Sequence, residues 1–173
     1  YAAVTRDEAQ RSIRPFYEVV NYKNGRNINM ARAVLDLPEK YDFETEITVH
    51  ISEINHANHV GAAGIMFLLN EARIQFFAKY GWNELNVEGL GIAMNDSVIL
   101  YKSQAFQGDV LEMKVALTDF FRYGYDFIYL LTNKKTGREV ARAKTGIMFF
   151  DYKKGTKAEV PPKFKELFAK VEK

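Results

Sequence analysis

The sequence predicts an α+β domain in which one antiparallel sheet curls around a single long helix. Three observations carry this. The elements run as one strand, one helix and then four strands, and strands beside a segregated helix belong to the α+β class. The helix is apolar on most of its circumference through Ile65, Met66, Phe67, Leu68 and Leu69, so it is expected to be buried nearly all round. The turn 133-NKKTGRE-139 joins two of the strands as a hairpin, with Gly137 at the left-handed position.

Each element has its own signal. Residues 43-FETEITVHIS-52 alternate and are rich in β formers, which predicts a strand. A loop, 53-EINHANHVGAA-63, leads into a helix over 62–80 that contains no proline and stops at Gly81. Its second half carries Asn70, Glu71, Arg73, Gln75 and Lys79 and is expected to be more exposed. Strands are predicted over 90–103, 108–121, 124–133 and 139–152. Residues 162–173 read as a short amphipathic helix or a frayed tail. The first part of the chain differs. Asp7 to Val20 is a short helix candidate interrupted by Pro15, 21-NYKNGRNIN-29 is turn-rich, and 30–41 offers another helical turn before Pro38. Residues 1–41 are therefore expected to form an extension packed on a domain spanning 42–173.

Composition narrows the classes of function. A chain of 173 residues, 47% apolar, fits one folded domain. Its 13 Phe and 10 Tyr suit large side chains meeting across a sheet or an interface. The net charge of +2 comes from mixed charges without a basic stripe outside the tail, which disfavours nucleic acid. The absence of cysteine excludes disulfides, thiolate metal sites and a cysteine nucleophile. No apolar run reaches the roughly 18 residues of a membrane span. A cytoplasmic location is expected first; a chain starting at Tyr1 rather than Met leaves a periplasmic or secreted one open.

The motif that carries chemistry is 53-EINHANHVGAAGIMFLLNEAR-73, followed by 80-YGW-82. Glu71 and Arg73 stand twelve and fourteen residues after His59. With 101-YKSQAFQGDVLEMKV-115 and 138-REVARAKTGIMFFDY-152, this unit resembles the hotdog-fold acyl-CoA thioesterases of the 4-hydroxybenzoyl-CoA thioesterase superfamily over roughly 43–152. The resemblance implies a hotdog fold and hydrolysis of an acyl-CoA or acyl-carrier-protein thioester. It implies no cofactor and no metal, coenzyme A being part of the substrate. Exposed sheet edges, which must be covered, add a homodimer or homotetramer with sites at the interface. The chain departs from the family pattern in the loop. Glu53 stands where an aspartate is usual. Asn55 stands where many members carry the catalytic aspartate, although one subgroup has asparagine there. Asn58 replaces a glycine, and Ala62 and Ala63 replace polar residues.

Thioester hydrolysis needs a stabilised carbonyl oxygen and an activated water. The N–H groups near Val60, Gly61 and Ala62, at the positive end of the helix, are expected to polarise the carbonyl. The carboxylate is Glu71 or Glu53. Glu71 is favoured, because a position within a core-like helix would be partly desolvated and suit a general base. His59 would orient that base or the water. Asn55 would hold the water or the carbonyl but cannot act as a base. Plainer roles stand beside these: Glu71 paired with an arginine, His59 bonded to backbone, His56 structural. A metal held by His50, His56 and His59 is disfavoured. Asp96 and Ser97 lie mid-strand. Lys102, Arg122, Arg142 and Lys144 are candidates for coenzyme A phosphates, none of them assigned. Met66, Phe67, Phe76, Phe77, Tyr101 and Phe106 would line an acyl pocket or simply build the core. Two further functions remain open: a non-catalytic acyl-thioester binder, and a hotdog hydratase or dehydratase.

Overall fold

The computed structural model describes residues 33–169. The elements are β1 (Phe43–Thr48), a 3-10 turn (Ile51–Glu53), α1 (Ala62–Lys79), β2 (Gly91–Tyr101), β3 (Val110–Phe121), β4 (Gly124–Asn133), β5 (Glu139–Asp151), β6 (Thr156–Lys157) and α2 (Pro162–Phe168). The strands lie in the order β1-β3-β4-β5-β2, with β6 paired to β5. Every pairing is antiparallel. One sheet around one long helix is the hotdog architecture the sequence predicts.

Alternation decides which face is the core. Met113 and Val115 on β3, Phe127 and Tyr129 on β4, and Ala141 and Ala143 on β5 are fully buried, two residues apart in each strand. α1 meets them with Leu69, Ala72, Phe76 and Phe77, all 0% exposed. At the far end of the helix, α2 drives Phe164 and Phe168 into an aromatic cluster. Phe168 lies 5.3 Å from Phe76, and Phe164 lies 5.0 Å from Tyr125, between ring centroids. The C-terminal segment is thus an ordered helix as far as Phe168 rather than a frayed tail.

Several expectations are corrected. The first half of the helix is not buried nearly all round: Phe67 is 60% exposed, because the sheet covers only the stripe spaced i, i+4. Arg73, expected on the exposed half, falls on that stripe and is buried. The first strand ends at Thr48 instead of running to residue 52. The Glu53 carboxylate accepts the His50 N–H at 2.6 Å, and the chain turns there. No helical turn forms over 33–41. Those residues cross the outer face of the sheet. Arg142 Nη1 donates to Leu35 O at 3.0 Å, and the Leu117 N–H donates to Asp42 Oδ2 at 2.9 Å. The helix expected over Asp7–Val20 lies outside the described residues. Strand β6 was not foreseen, since two residues leave no periodicity to read.

The two ends of the sheet are β1 and β2. β2 is 11 residues long and bulges between Met94 and Asp96. Its residues Met94 and Tyr101 are 46% and 50% exposed. Among the described residues, no helix is long and apolar enough to cross a membrane.

Candidate functional site

The loop before α1 is a knot of local hydrogen bonds. The Asn55 N–H donates to His59 O at 2.9 Å, and the Asn58 N–H to Asn55 O at 3.0 Å. The Ala57 N–H donates to Asn55 Oδ1 at 2.9 Å. Asn58 closes the turn at φ 61°, in the left-handed region that glycine and asparagine enter most easily. That explains both the glycine usual at this point in the resembling family and the residue that replaces it here.

These bonds also set the state of His59. With Oδ1 taken by Ala57, the Asn55 amide turns its Nδ2 toward His59 Nε2, 3.3 Å away. His59 Nδ1 lies 3.2 Å from Ala57 O. A carbonyl can only accept, so Nδ1 carries the proton and Nε2 accepts from Asn55. Both ring nitrogens are then engaged. Asn55 keeps one amide proton for another partner.

The helix start differs from the sequence expectation in two places. The Val60 N–H donates to Ala105 O at 2.9 Å, and the Gly61 N–H to Glu53 O at 3.0 Å. Neither is available to a substrate, because both anchor the loop to its neighbours. Gly61 is the N-cap of α1, and no side chain caps the helix. The first N–H groups of a helix have no intrahelical partner, so of the three the Ala62 N–H is the one without such an anchoring bond. Beside it opens a cleft of about 280 Å³. It is lined by Asn55, His59, Gly61 and Ala62, by Tyr101–Ala105, and by Ile65 and Val140.

The carboxylates lie elsewhere. No acidic residue lines this cleft among the described residues. Glu53 and Glu71 line a separate groove of about 860 Å³, together with His50, Phe67 and Ile74. Glu53 accepts from His50 N–H and from the Ser52 hydroxyl, so it holds the turn. Glu71 is exposed and accepts from Gln75 Nε2 at 2.7 Å; the expected desolvation is not met in the single chain. It stands nine residues beyond Ala62, about 13.5 Å along the helix axis. Arg73 of the same chain is engaged elsewhere, donating to Glu84 Oε1 at 2.5 Å and to Asn70 Oδ1 at 3.0 Å. Burial works against the Arg73 charge, but Tyr129 and Glu84 outweigh it and hold the guanidinium above its ordinary value.

The other singled-out residues separate cleanly. His56 is exposed at the turn, and no three His, Asp or Glu side chains among the described residues converge on a metal position. Arg122 pairs with Glu159, Arg142 with Glu139, and Lys144 with Asp126. Asp96 adds a 3.4 Å contact to Lys144, and Ser97 is exposed opposite Thr145. Of the four suggested phosphate partners only Lys102 lines the cleft. Phe76 and Phe77 belong to the core and Phe67 to the outer groove, leaving Tyr101 as the aromatic of that set in the cleft. Ser103 and Gln104 were not singled out by the sequence. They reach the cleft through the Val60–Ala105 bond, which spans 45 residues and leaves no local signal.

Comparisons with known proteins follow the same lines. A family model described as the thioesterase-like superfamily matches residues 49–168. No curated protein sequence matches the chain. A 1,4-dihydroxy-2-naphthoyl-CoA thioesterase from Synechocystis superposes with a TM-score of 0.67 at 17% identity, over 75% of this chain and 96% of that one. A Staphylococcus aureus protein solved in complex with CoA gives 0.67 at 17%, over 79% and 86%. A probable thioesterase from Bartonella henselae gives 0.62 at 15%, over 69% and 98%. At such identities these structures speak for the fold, and the family model speaks for the lineage. The chain is a hotdog-fold member of the thioesterase-like superfamily.

Proposed function

We propose that the protein hydrolyses an acyl thioester of coenzyme A or of an acyl-carrier protein, and that the cleft at the start of α1 receives the thioester carbonyl. The observation that carries this is the uncapped helix start at Gly61–Ala62, open to a cleft in a chain of this superfamily. The Ala62 N–H and the remaining Asn55 amide proton are donors for the developing oxyanion. His59 holds Asn55 in place, with Nε2 3.3 Å from Asn55 Nδ2 and Nδ1 3.2 Å from Ala57 O.

The base is a carboxylate supplied from a second copy of the chain. Glu71 is too far along α1 to serve the Ala62 N–H of its own chain. The long exposed edge of β2, which ends at Tyr101 on the cleft, is where a second copy would continue the sheet. Glu71 of that copy takes the proton of the attacking water, the new C–O bond forms, the C–S bond breaks, and the thiolate recovers the proton.

The experiment is a hydrolysis panel from short to long acyl-CoA and benzoyl-CoA, with Glu71→Gln, Asn55→Ala and light scattering alongside. The reading expects a dimer or tetramer and loss of turnover in both variants. Full turnover in both variants, or an active monomer, refutes the site. A second reading, an acyl-thioester binder without turnover, is favoured by the missing carboxylate in the cleft. It would show as tight binding with no product on any substrate of the panel.

A further inference from the structure

We propose that Gln75 is a positioning residue: anchored by Thr45, it holds the Glu71 carboxylate by one oxygen and leaves Oε2 to take the proton of the attacking water. The inference rests on the reading above, in which Glu71 of one copy serves the cleft of the other, and names the groups that aim that base. Gln75 Nε2 donates to Glu71 Oε1 at 2.7 Å, and the Thr45 hydroxyl donates to Gln75 Oε1 at 2.5 Å. Glu71 Oε2 makes no hydrogen bond among the described residues.

Charge fixes the direction of this relay. A glutamine amide has an acceptor end and a donor end of nearly the same shape. Turned the other way, its oxygen would face the ionised carboxylate and repel it. Nε2 therefore meets Glu71, and Oε1 is left to the Thr45 hydroxyl, which has to donate.

Two elements build the relay. Gln75 stands four residues after Glu71 on α1, so the two side chains lie on one face. Thr45 comes from β1, where Phe43, Thr45 and Ile47 turn inward while Glu44 and Glu46 are exposed. It is a hydroxyl on an otherwise apolar inner face, and Gln75 is what it meets. Phe43 packs on Phe76 at 6.0 Å between ring centroids and seats the strand beside this turn of the helix. Thr45 and Gln75 are half-buried, whereas Glu71 is exposed. The amide is thus anchored at its inner end, and the carboxylate it holds lies in the groove that Glu71 and Gln75 both line.

Exposure is why a holder matters. A glutamate at an exposed helix position samples many rotamers. A surface bond at i, i+4 adds little to stability, but it narrows where the carboxylate points, and misplacing a reacting group by about 1 Å costs about 100-fold in rate. With Oε1 committed, Oε2 does the chemistry. One proton of the water moves to Oε2 as the water oxygen bonds to the acyl carbon. The C–S bond breaks with its electron pair on sulfur, and Oε2 returns the proton to that thiolate. Gln75 and Thr45 neither gain nor lose a proton.

The test uses the full chain, the acyl-CoA of highest turnover, and its non-hydrolysable analogue with CH2 in place of sulfur. Gln75→Met keeps the length and helix propensity of the side chain but cannot donate, and is expected to lower kcat about 10-fold. Thr45→Val removes the anchor and lowers kcat about threefold or more, whereas Thr45→Ser keeps the hydroxyl and turns over as wild type. In all three, KM and analogue affinity stay within about twofold, and Tm stays within about 4 °C. Unchanged kcat in Gln75→Met, a loss confined to KM and analogue affinity, a loss of kcat no larger than the loss of folded protein, or Thr45→Ser as slow as Thr45→Val overturns the inference. Glu71→Gln inactive with Gln75→Met at full kcat sinks the inference alone. Glu71→Gln at full turnover, or a wild type inactive on every thioester, sinks the assignment of the base and the inference with it.

Discussion

Replacing Gly64 by alanine tests how the active loop is seated on α1. A Cβ built at Gly64 lies 2.4 Å from Glu53 O and 3.0 Å from both Glu53 Cβ and Val60 Cγ1. Ordinary contact begins near 3.4 Å, so a backbone carbonyl must retreat by about 1 Å. That carbonyl is the acceptor of the Gly61 N–H at 3.0 Å, the bond that fixes the N-cap. Overpacking of this kind costs about 1–3 kcal/mol. Helix propensity returns at most about 1 kcal/mol for Gly→Ala. The net is a loss of up to about 2 kcal/mol, or up to roughly 8 °C in Tm for a chain of this size. Turnover should fall further than stability, since the displaced carbonyl tethers the turn bearing Asn55 and His59. Thermal and urea melts with an acyl-CoA assay read both effects. A Tm equal to or above wild type means that propensity alone acts and that Glu53 O does not press on Gly64.

Three other outcomes follow from the same coordinates. Gly61→Ala brings a Cβ to 3.3 Å of Asn55 Cβ and 3.6 Å of Nδ2, so kcat should drop at least about tenfold while Tm moves by under about 4 °C; equal losses in both would contradict the contact. Phe164→Ala empties a fully buried aromatic position and should cost about 3–5 kcal/mol in urea denaturation, a value below about 1 kcal/mol showing that α2 does not close the core. Burial pushes the Tyr125 phenol well above 10 and raises that of Tyr129. A raised pKa means that the native state keeps its proton longer, so this stability is complete below pH about 10, the unfolded value, and is lost as pH rises through the folded values. Absorbance at 295 nm followed with circular dichroism should show these two tyrosines ionising only as the chain unfolds.

Much of the fold was legible because its signals are local. Residues 124–133 and 139–152 read as strands, and the structure forms β4 over Gly124–Asn133 and β5 over Glu139–Asp151. The stop at Gly81 is real: it adopts φ 72° just after α1. The loop carrying Asn55 and His59 could be singled out because its residue types and its position before a helix lie within one short stretch. Arg73 was misplaced because its charge spoke for solvent, while its phase on the helix and the presence of Glu84 spoke for burial.

The sequence by itself determined the strand and helix order and the start of the long helix. Those depend on backbone propensity and on periods of two and 3.6 residues, which act over a few neighbours. Only the tertiary structure decided which donors stay free and which groups share a cleft. It committed Val60 to Ala105 and Gly61 to Glu53, left Ala62 open, sent Glu71 to another groove and brought Tyr101–Ala105 to the helix start. Each of these is a matter of one hydrogen bond or one turn of helix between segments distant in sequence. Such geometry is settled by packing, and composition carries no trace of it.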